Sequence, residues 1–454
     1  MCVTSYRLSE ILLWQVYPRV SPSEDYYKRT MLGLEPDTSW SDLGGLKWEL
    51  VLCLAAAWTI VCLCLIKGVQ SSGKVVYFTA LFPYLVLVIL LIRGATLDGA
   101  YEGILFYVYP TPEKLEGLKG IAVWSAAATQ IFYSLGPSFG GLITLASYNK
   151  FTNNCHRDAI LIAFANCGTS IFAGFVIFSI IGFMAKQAAL PVEEVIKGGT
   201  GLAFIAYPEA VTQMPVPQLW SFLFFGMLIT LGLDSQFTMT ETITTAVMDQ
   251  YPNLREHKGK VVIFASIIGF ILGLTMCTRG GIFMFELINW YSASWGLLIC
   301  AITEIIVIMY AYGYKNFLEN IEEMGIKLPA FMKYYWMSMW MVITPIVLLF
   351  VLIMNFVQYS PAYSPSYTQE NYVFPMGIQF LGWLMALVAV FFIIIGVVLQ
   401  ILKRQKNGKP TDFKSMVSPN EKWGSALVTN AVKKPAQGLD NQTYVRDEFS
   451  YNKY

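Results

Sequence analysis

The feature that most constrains this chain is the blocking of its apolar residues into runs long enough to cross a bilayer. Read between charged punctuation, the runs fall at about residues 48–66, 75–92, 121–147, 159–184, 217–248, 261–278, 283–312, 334–357 and 375–401. The stretches between them hold nearly all the Lys and Arg. Of the 454 residues, 56% are hydrophobic and 13% charged, against about 25% charged in soluble domains. A soluble fold has nowhere to bury that much apolar side chain. Lipid is therefore the expected solvent, and the expected fold is an all-α membrane protein of about nine transmembrane helices.

The same composition excludes several kinds of function. Net charge is +1 with no basic face, so nucleic acid is not a partner the sequence suggests. Eight cysteines (Cys2, Cys53, Cys62, Cys64, Cys155, Cys167, Cys277, Cys300) fall mostly inside apolar runs without C-x-x-C spacing. Cys62 and Cys64 read as lipid-facing or core residues. The two histidines, His156 and His257, are expected in polar loops, which takes the commonest metal ligand and general base out of the membrane interior. An enzyme is not expected. The first 20 residues lack the continuous apolar stretch and small-residue cleavage site of a secretory signal.

Nine crossings place the two ends on opposite sides. With the N-terminus outside, the short inside loops carry Lys67, Lys74, Lys150, Arg157, Arg255, Lys258, Lys260, Lys315, Lys327 and Lys333. The outside loops carry fewer cations: Arg93, Lys114, Lys119, Lys186, Lys197 and Arg279. The positive-inside rule thus favours N-out and C-in. Three regions follow: an extracellular loop remnant at 1–47, a transmembrane domain at 48–401, and a disordered cytoplasmic tail at 402–454. On that side Asn441-Gln442-Thr443 is a glycosylation sequon that goes unused.

Two runs break helix rules. The third contains Ser134-Leu-Gly-Pro-Ser-Phe-Gly-Gly141, three glycines and a proline at mid-membrane depth, where freed backbone groups are tolerated only beside a polar cavity. A helix split there offers carbonyls and half-helix ends to ions. The alternative is a packing kink, since Gly and Pro are common in membrane helices. The fifth contains Asp234-Ser235, with Glu241 about two turns along on the same face. A carboxylate at such depth is costly enough to read as functional. Asp234 either pairs with a basic residue or compensates a bound cation, and no Lys or Arg lies near mid-depth in the runs. Glu241 and Glu304 read as structural, hydrogen-bonded within the bundle.

Beyond these features the residues resemble a known family. Gln130-Ile-Phe-Tyr-Ser-Leu-Gly-Pro-Ser-Phe-Gly-Gly-Leu-Ile-Thr-Leu-Ala-Ser-Tyr-Asn-Lys-Phe151 with Asn153-Asn-Cys-His-Arg-Asp158 resembles the sixth helix and following loop of the neurotransmitter:sodium symporter family. Leu231-Gly-Leu-Asp-Ser-Gln-Phe237 is similar to its eighth helix. Further matches are Ser21-Pro-Ser-Glu24, Lys67-Gly-Val-Gln-Ser-Ser-Gly-Lys-Val-Val76, Phe82-Pro-Tyr84 and Arg93-Gly-Ala-Thr-Leu97. They run in family order from about Ser21 to Trp423. The resemblance numbers the nine spans as helices four to twelve and implies that helices one to three and the cytoplasmic N-tail are missing. It implies an inverted-repeat fold in which discontinuous helices meet around a midplane site.

The resemblance also implies roles for individual residues. Ser134 and Asn166 match side chains of a first sodium site, and Leu231 (through its carbonyl), Asp234 and Ser235 a second; hard oxygens suit such a cation. Gln130, Ser134, Asn166 and Ser170 match a chloride site built from amide and hydroxyl donors. Chloride-independent relatives carry a carboxylate at the Ser170 position, so a hydroxyl there implies chloride dependence. Tyr133, Gly136, Phe139 and Met239 line up with substrate-pocket residues, Phe139 as the aromatic lid. The bulk of Tyr133 and Met239 hints at a compact substrate. Tyr148 and Asp249 match a cytoplasmic gate. Asn289 departs from the acidic residue many members use in an outer gate.

The expected function is plasma-membrane symport, coupled to sodium and chloride, of a small neutral amino acid or amino-acid-derived transmitter. Gln236, Met239 and the Tyr291-Ser-Ala-Ser294 segment resemble glycine, GABA or proline carriers more than monoamine ones. The alternative is a truncated, non-transporting member that pairs with full-length transporters, or an incomplete gene model. Oligomerisation with family members is a further expectation. A channel is disfavoured because no repeated pore segment is present.

Overall fold

A computed structural model describes residues 22–34, 38–66, 69–195, 202–292, 295–364, 372–408, 410–411 and 416. Outside them lie Ser21, Lys67, Gly68, Ala293, Ser294, Trp423, the sequon at Asn441, most of the expected tail and the first part of the expected N-terminal loop.

Helices dominate because a backbone in lipid must satisfy its own polar groups. The span-forming helices are α1 (Trp48–Leu65), α2 (Val69–Ala95), α3 (Gly117–Leu135), α4 (Gly141–Ser147), α5 (Cys155–Ala188), α6 (Pro217–Gln250), α7 (Lys258–Gly273), α8 (Gly281–Ser292) and α9 (Trp295–Ile305), followed by α10 (Tyr314–Glu323), α11 (Ala330–Ser338), α12 (Thr344–Val357) and α13 (Met376–Lys406). Among the described residues eight helical stretches are long and apolar enough to cross a membrane. They correspond to all the expected spans but the third. That span is two shorter helices, α3 and α4, separated at the glycine-proline break. Strand pairing among the described residues is confined to Tyr363–Ser364 against Tyr372–Val373 and two isolated bridges.

The seventh span departs from expectation by running on through a π-helical segment, Ile306–Gly313, into α10, so that Lys315 lies in a helix and not in a loop. A second π-helical segment, Met339–Ile343, joins α11 to α12, and the Tyr310 hydroxyl donates to the Met341 carbonyl to tie the two together. His156 also differs from the loop position expected for it. Asn154 caps α5 by accepting from the Arg157 N–H at 3.0 Å, and His156 falls in the first turn, edge-on to Trp336.

Close packing explains several glycines. A Cβ on Gly269 of α7 would come 2.2 Å from the Trp58 ring, and one on Gly273 2.9 Å from Leu54, so α1 lies directly on α7. Around this contact Val61, Leu65, Phe237 and Val262 form a buried cluster that also takes in α6. A second cluster joins α2, α5 and α6 through Val86, Leu90, Val176, Ile180, Phe224 and Met227. It is covered by the short helix Tyr207–Thr212, whose Tyr207 stacks on Phe224 at 3.7 Å. A third unites α3, α9 and α12 through Phe132, Leu298, Ala301, Leu348 and Val351. The third of these interfaces holds the end of α3, just before the break, against α9 and α12.

Candidate functional site

The site begins where α3 stops. Gly136 takes φ +62 and closes α3 with its N–H on the Phe132 carbonyl, and Gly140 takes φ +80 just before α4. Between them Pro137 cannot donate, and Ser138 holds φ +65, a conformation unusual for a residue with a side chain. Its hydroxyl reaches out of the gap and donates to Glu304 Oε2 on α9 at 3.2 Å. The break is therefore anchored sideways as well as along the chain. The expectation that Glu304 is hydrogen-bonded in the bundle holds, and its partner is the break itself.

Two groups of side chains flank this gap. On one side, Ser134 in the last turn of α3 donates to Asn166 Oδ1 on α5 at 2.9 Å. Ser170, one turn further along α5, donates to the Asn166 backbone carbonyl at 3.0 Å. The Asn166 Nδ2 is buried and has no acceptor among the described residues. Gln130 lies one turn before Ser134 on α3. Ser134, Asn166 and Ser170 are thus brought together, and at least one donor there lacks a protein partner. An unmet buried donor is what an anion site requires.

On the other side stands α6. Glycines bring α4 against it: Cβ atoms on Gly140 and Gly141 would lie 3.0 Å from the methyl carbons of Thr242 and Thr238. Leu231, Asp234 and Ser235 share one face of α6 at i, i+3 and i+4 spacing, and Ser235 Oγ donates to the Leu231 carbonyl at 3.2 Å. Asp234 is half-buried and its Oδ1 accepts from Thr79 on α2 at 3.1 Å. Among the described residues no cation pairs with it. A carboxylate with one oxygen held by a hydroxyl, and neither held by a positive group, suits a bound cation.

The pocket residues are placed less uniformly. Tyr133 packs beside the α3–α9–α12 cluster, and its buried hydroxyl has no hydrogen-bond partner among the described residues. Phe139, in the break, and Met239, on α6, are 41% and 52% exposed, so neither ring nor thioether is committed to the core. Gly136 is the left-handed hinge already described.

At the end of α4, the described contacts take the two expected gate residues to different partners. Tyr148 donates to Glu241 Oε1 at 2.7 Å and shares a hydrogen bond with Thr245 at 2.8 Å. Lys258 at the start of α7 pairs with the same Glu241 oxygen, its Nζ lying 5.7 Å from the Tyr148 ring centre. Asp249 pairs with Arg255 at 2.8 Å in an exposed bridge. Sequence reasoning missed Thr79, Ser138, Thr245 and Lys258. Lys258 was readable only as a loop cation, and the hydroxyls carry no signal that separates them from ordinary helix threonines and serines.

A family model for the sodium:neurotransmitter symporter family matches residues 2–404. The chain is 45% identical over 426 residues to sodium- and chloride-dependent glycine transporter 1 of Xenopus laevis, covering 93% of the chain and 65% of that relative. It is 44% identical over 414 residues to sodium- and chloride-dependent glycine transporter 2 of the same species, covering 90% of the chain and 50% of the relative. The chain thus spans between half and two thirds of the length of these relatives.

Proposed function

The chain belongs to the sodium:neurotransmitter symporter family, a family of transporters and not of enzymes, and from that premise we propose that it carries a small neutral amino acid across the plasma membrane by alternating access, driven by sodium and accompanied by chloride. Glycine is the first candidate substrate, because the matched relatives are named as glycine transporters. The chain is an integral membrane protein with apolar helices of spanning length. In this reading 1–47 is extracellular, 48–401 the transport domain and 402–454 cytoplasmic, with family members as oligomeric partners.

The observation that carries the reading is the flanking of a broken span by two complementary groups. The orphaned Asn166 Nδ2, with Gln130, Ser134 and Ser170, fits chloride. Asp234, with the Leu231 carbonyl and Ser235, fits sodium, and Ser134 with Asn166 contributes oxygens to a second sodium ion. To donate to chloride, the Ser134 hydroxyl turns its proton away from Asn166 Oδ1, whereas Ser235 can offer an oxygen lone pair to sodium while still donating to the Leu231 carbonyl. Ions enter here as cargo and coupling partners, while the protein supplies oxygens and donors at fixed positions. The Tyr133 hydroxyl, without a partner among the described residues, is available to a polar group on the substrate, with Gly136, Phe139 and Met239 shaping its pocket. In this reading Tyr148 and Asp249 belong to the cytoplasmic gate.

Uptake of labelled glycine, proline, GABA and monoamines tests this. It is to be measured in cells expressing residues 1–454, and in cells expressing the same chain joined to the part of Xenopus glycine transporter 1 that lies outside the match. Sodium- and chloride-dependent glycine accumulation in at least one form supports the reading. Surface-exposed protein that accumulates none of the four in either form rejects it.

A further inference from the structure

The Asp234 carboxylate is held from outside its own helix by a hydroxyl. Thr79 lies on α2, is 4% exposed, and places Oγ1 3.1 Å from Asp234 Oδ1 and 3.3 Å from the carbonyls of Val75 and Val76. A hydroxyl has one proton to give. Donation to the local carbonyls is the ordinary habit of a helical threonine, but donation to a carboxylate is charge-assisted and stronger. An ionised carboxylate has no proton, so Thr79 must be the donor.

We propose that Thr79 is a positioning residue for Asp234: it fixes one carboxylate oxygen so that the other is presented to a bound sodium ion. This rests on the sodium reading of Asp234 given above and names the group that aims it. Three features make Thr79 suited to the task. Its β-branched side chain is stiff at χ1, so Oγ1 does not wander. Its neighbours Val75 and Val76 pack with Leu233 around the buried Val61–Leu65–Phe237–Val262 cluster, which locks the facing turns of α2 and α6 together. The other hydroxyls near Asp234 are otherwise engaged. Ser235 donates to Leu231, and Thr238 donates to the Asp234 backbone carbonyl at 3.3 Å and not to its carboxylate. Without Thr79 the carboxylate would have to be ordered by sodium itself, weakening the ion's apparent affinity by about three- to tenfold.

The test uses purified protein in detergent, with thermal unfolding followed as sodium chloride replaces choline chloride at constant ionic strength. An ion that binds the folded state raises Tm by mass action, so the sodium midpoint is read without knowing the substrate. The expected result is a sodium-specific rise in Tm for the parent protein and a clearly smaller one, left to the Ser134–Asn166 site, for Asp234→Asn. The midpoint for Thr79→Val should lie three- to tenfold higher, and that for Thr79→Ser, which keeps the hydroxyl, within twofold of the parent. Chloride midpoints at saturating sodium should not move. If Thr79→Val does not survive purification, Thr79→Ala is read by the same criteria. A sodium midpoint for the hydroxyl-free variant within twofold of the parent, with the Asp234→Asn response reduced, overturns the role of Thr79 and leaves the sodium site standing. Equal loss in Thr79→Val and Thr79→Ser also overturns it, since the hydroxyl is then not the cause. A parent protein, or an Asp234→Asn variant, that responds to sodium no differently than expected for the other removes the sodium reading and this inference with it.

Discussion

Asp234 and Glu241 lie on one face of α6, two turns apart, and the protein treats them in opposite ways. Glu241 is 3% exposed, accepts from Tyr148, and pairs with Lys258. Its charge is compensated inside the molecule. Asp234 is less buried, yet among the described residues a neutral hydroxyl is all that meets its carboxylate. Burial alone would rank Glu241 as the more unusual group. Pairing reverses the order, because a compensated buried charge is a fastener and an uncompensated one is an invitation to a cation.

Neutralising each carboxylate in turn separates the two roles by the largest expected effects. Asp234→Asn should abolish sodium-dependent uptake, a loss of about a hundredfold or more if the ligand is worth about 3 kcal/mol to the ion. Surface expression should stay near normal, since among the described residues no cation pairs with Asp234. Uptake and surface biotinylation measured together check this, and normal sodium dependence in the variant would remove Asp234 from the site. Glu241→Gln should do the reverse. It strands Lys258 at a partly buried position and should lower stability by about 2–4 kcal/mol while leaving the sodium midpoint in place. Adding Lys258→Met should recover much of that loss, and a double-mutant cycle on thermal unfolding measures the coupling. Additive losses would mean that the pair does not act as a fastener.

How far the sequence shows this contrast depends on the reach of each interaction. The break was legible because Gly136, Pro137, Gly140 and Gly141 crowd into six positions, where missing side chains and a missing donor together favour an interruption. Asp234 was legible because a carboxylate in the middle of an apolar run stands out. The partners were not. Thr79 and Asp234 are separated by 155 positions, and nothing in an apolar helix marks one threonine as facing another helix's carboxylate. Lys258 stands 17 residues beyond Glu241, where a charge count assigns it to a loop, although the fold swings it back onto α6. Ser138 carries no signal of its own in the sequence, yet its left-handed backbone and its bond to Glu304 pin the gap. The π-helical segments and the covering helix Tyr207–Thr212 were likewise invisible, since hydrophobicity reports span length and not local winding.

A smaller effect should follow from supplying near Asn166 the kind of fixed charge that α6 already carries. Ser170 lies one turn from Asn166, whose Nδ2 lacks an acceptor among the described residues. Ser170→Glu should therefore relax the chloride requirement, retaining at least about a tenth of the uptake when gluconate replaces chloride, provided the carboxylate stays ionised beside sodium. A variant that transports in chloride and stops in gluconate as the parent does would place the anion elsewhere.

The smallest expected change tests whether Glu241 is compensated by charge or by hydrogen bonding. Tyr148→Phe removes the hydroxyl that joins Glu241 to Thr245 but keeps the aromatic ring beside Lys258. If Lys258 supplies most of the compensation, the loss is that of one hydrogen bond, about 1 kcal/mol, and the sodium midpoint set at Asp234 stays within about twofold. The change should fall instead on the end of α4, loosening its hold on α6 and favouring opening at the proposed cytoplasmic gate. Accessibility of a cysteine introduced at Thr245 to a small cationic thiol reagent reads that opening, against the same cysteine in the Tyr148 parent and with the other free cysteines removed. Greater labelling with an unchanged sodium midpoint separates the fastener from the ion site. A sodium midpoint that moves as far as it does in Thr79→Val would join them, and the two carboxylates of α6 would then have to be treated as one coupled unit.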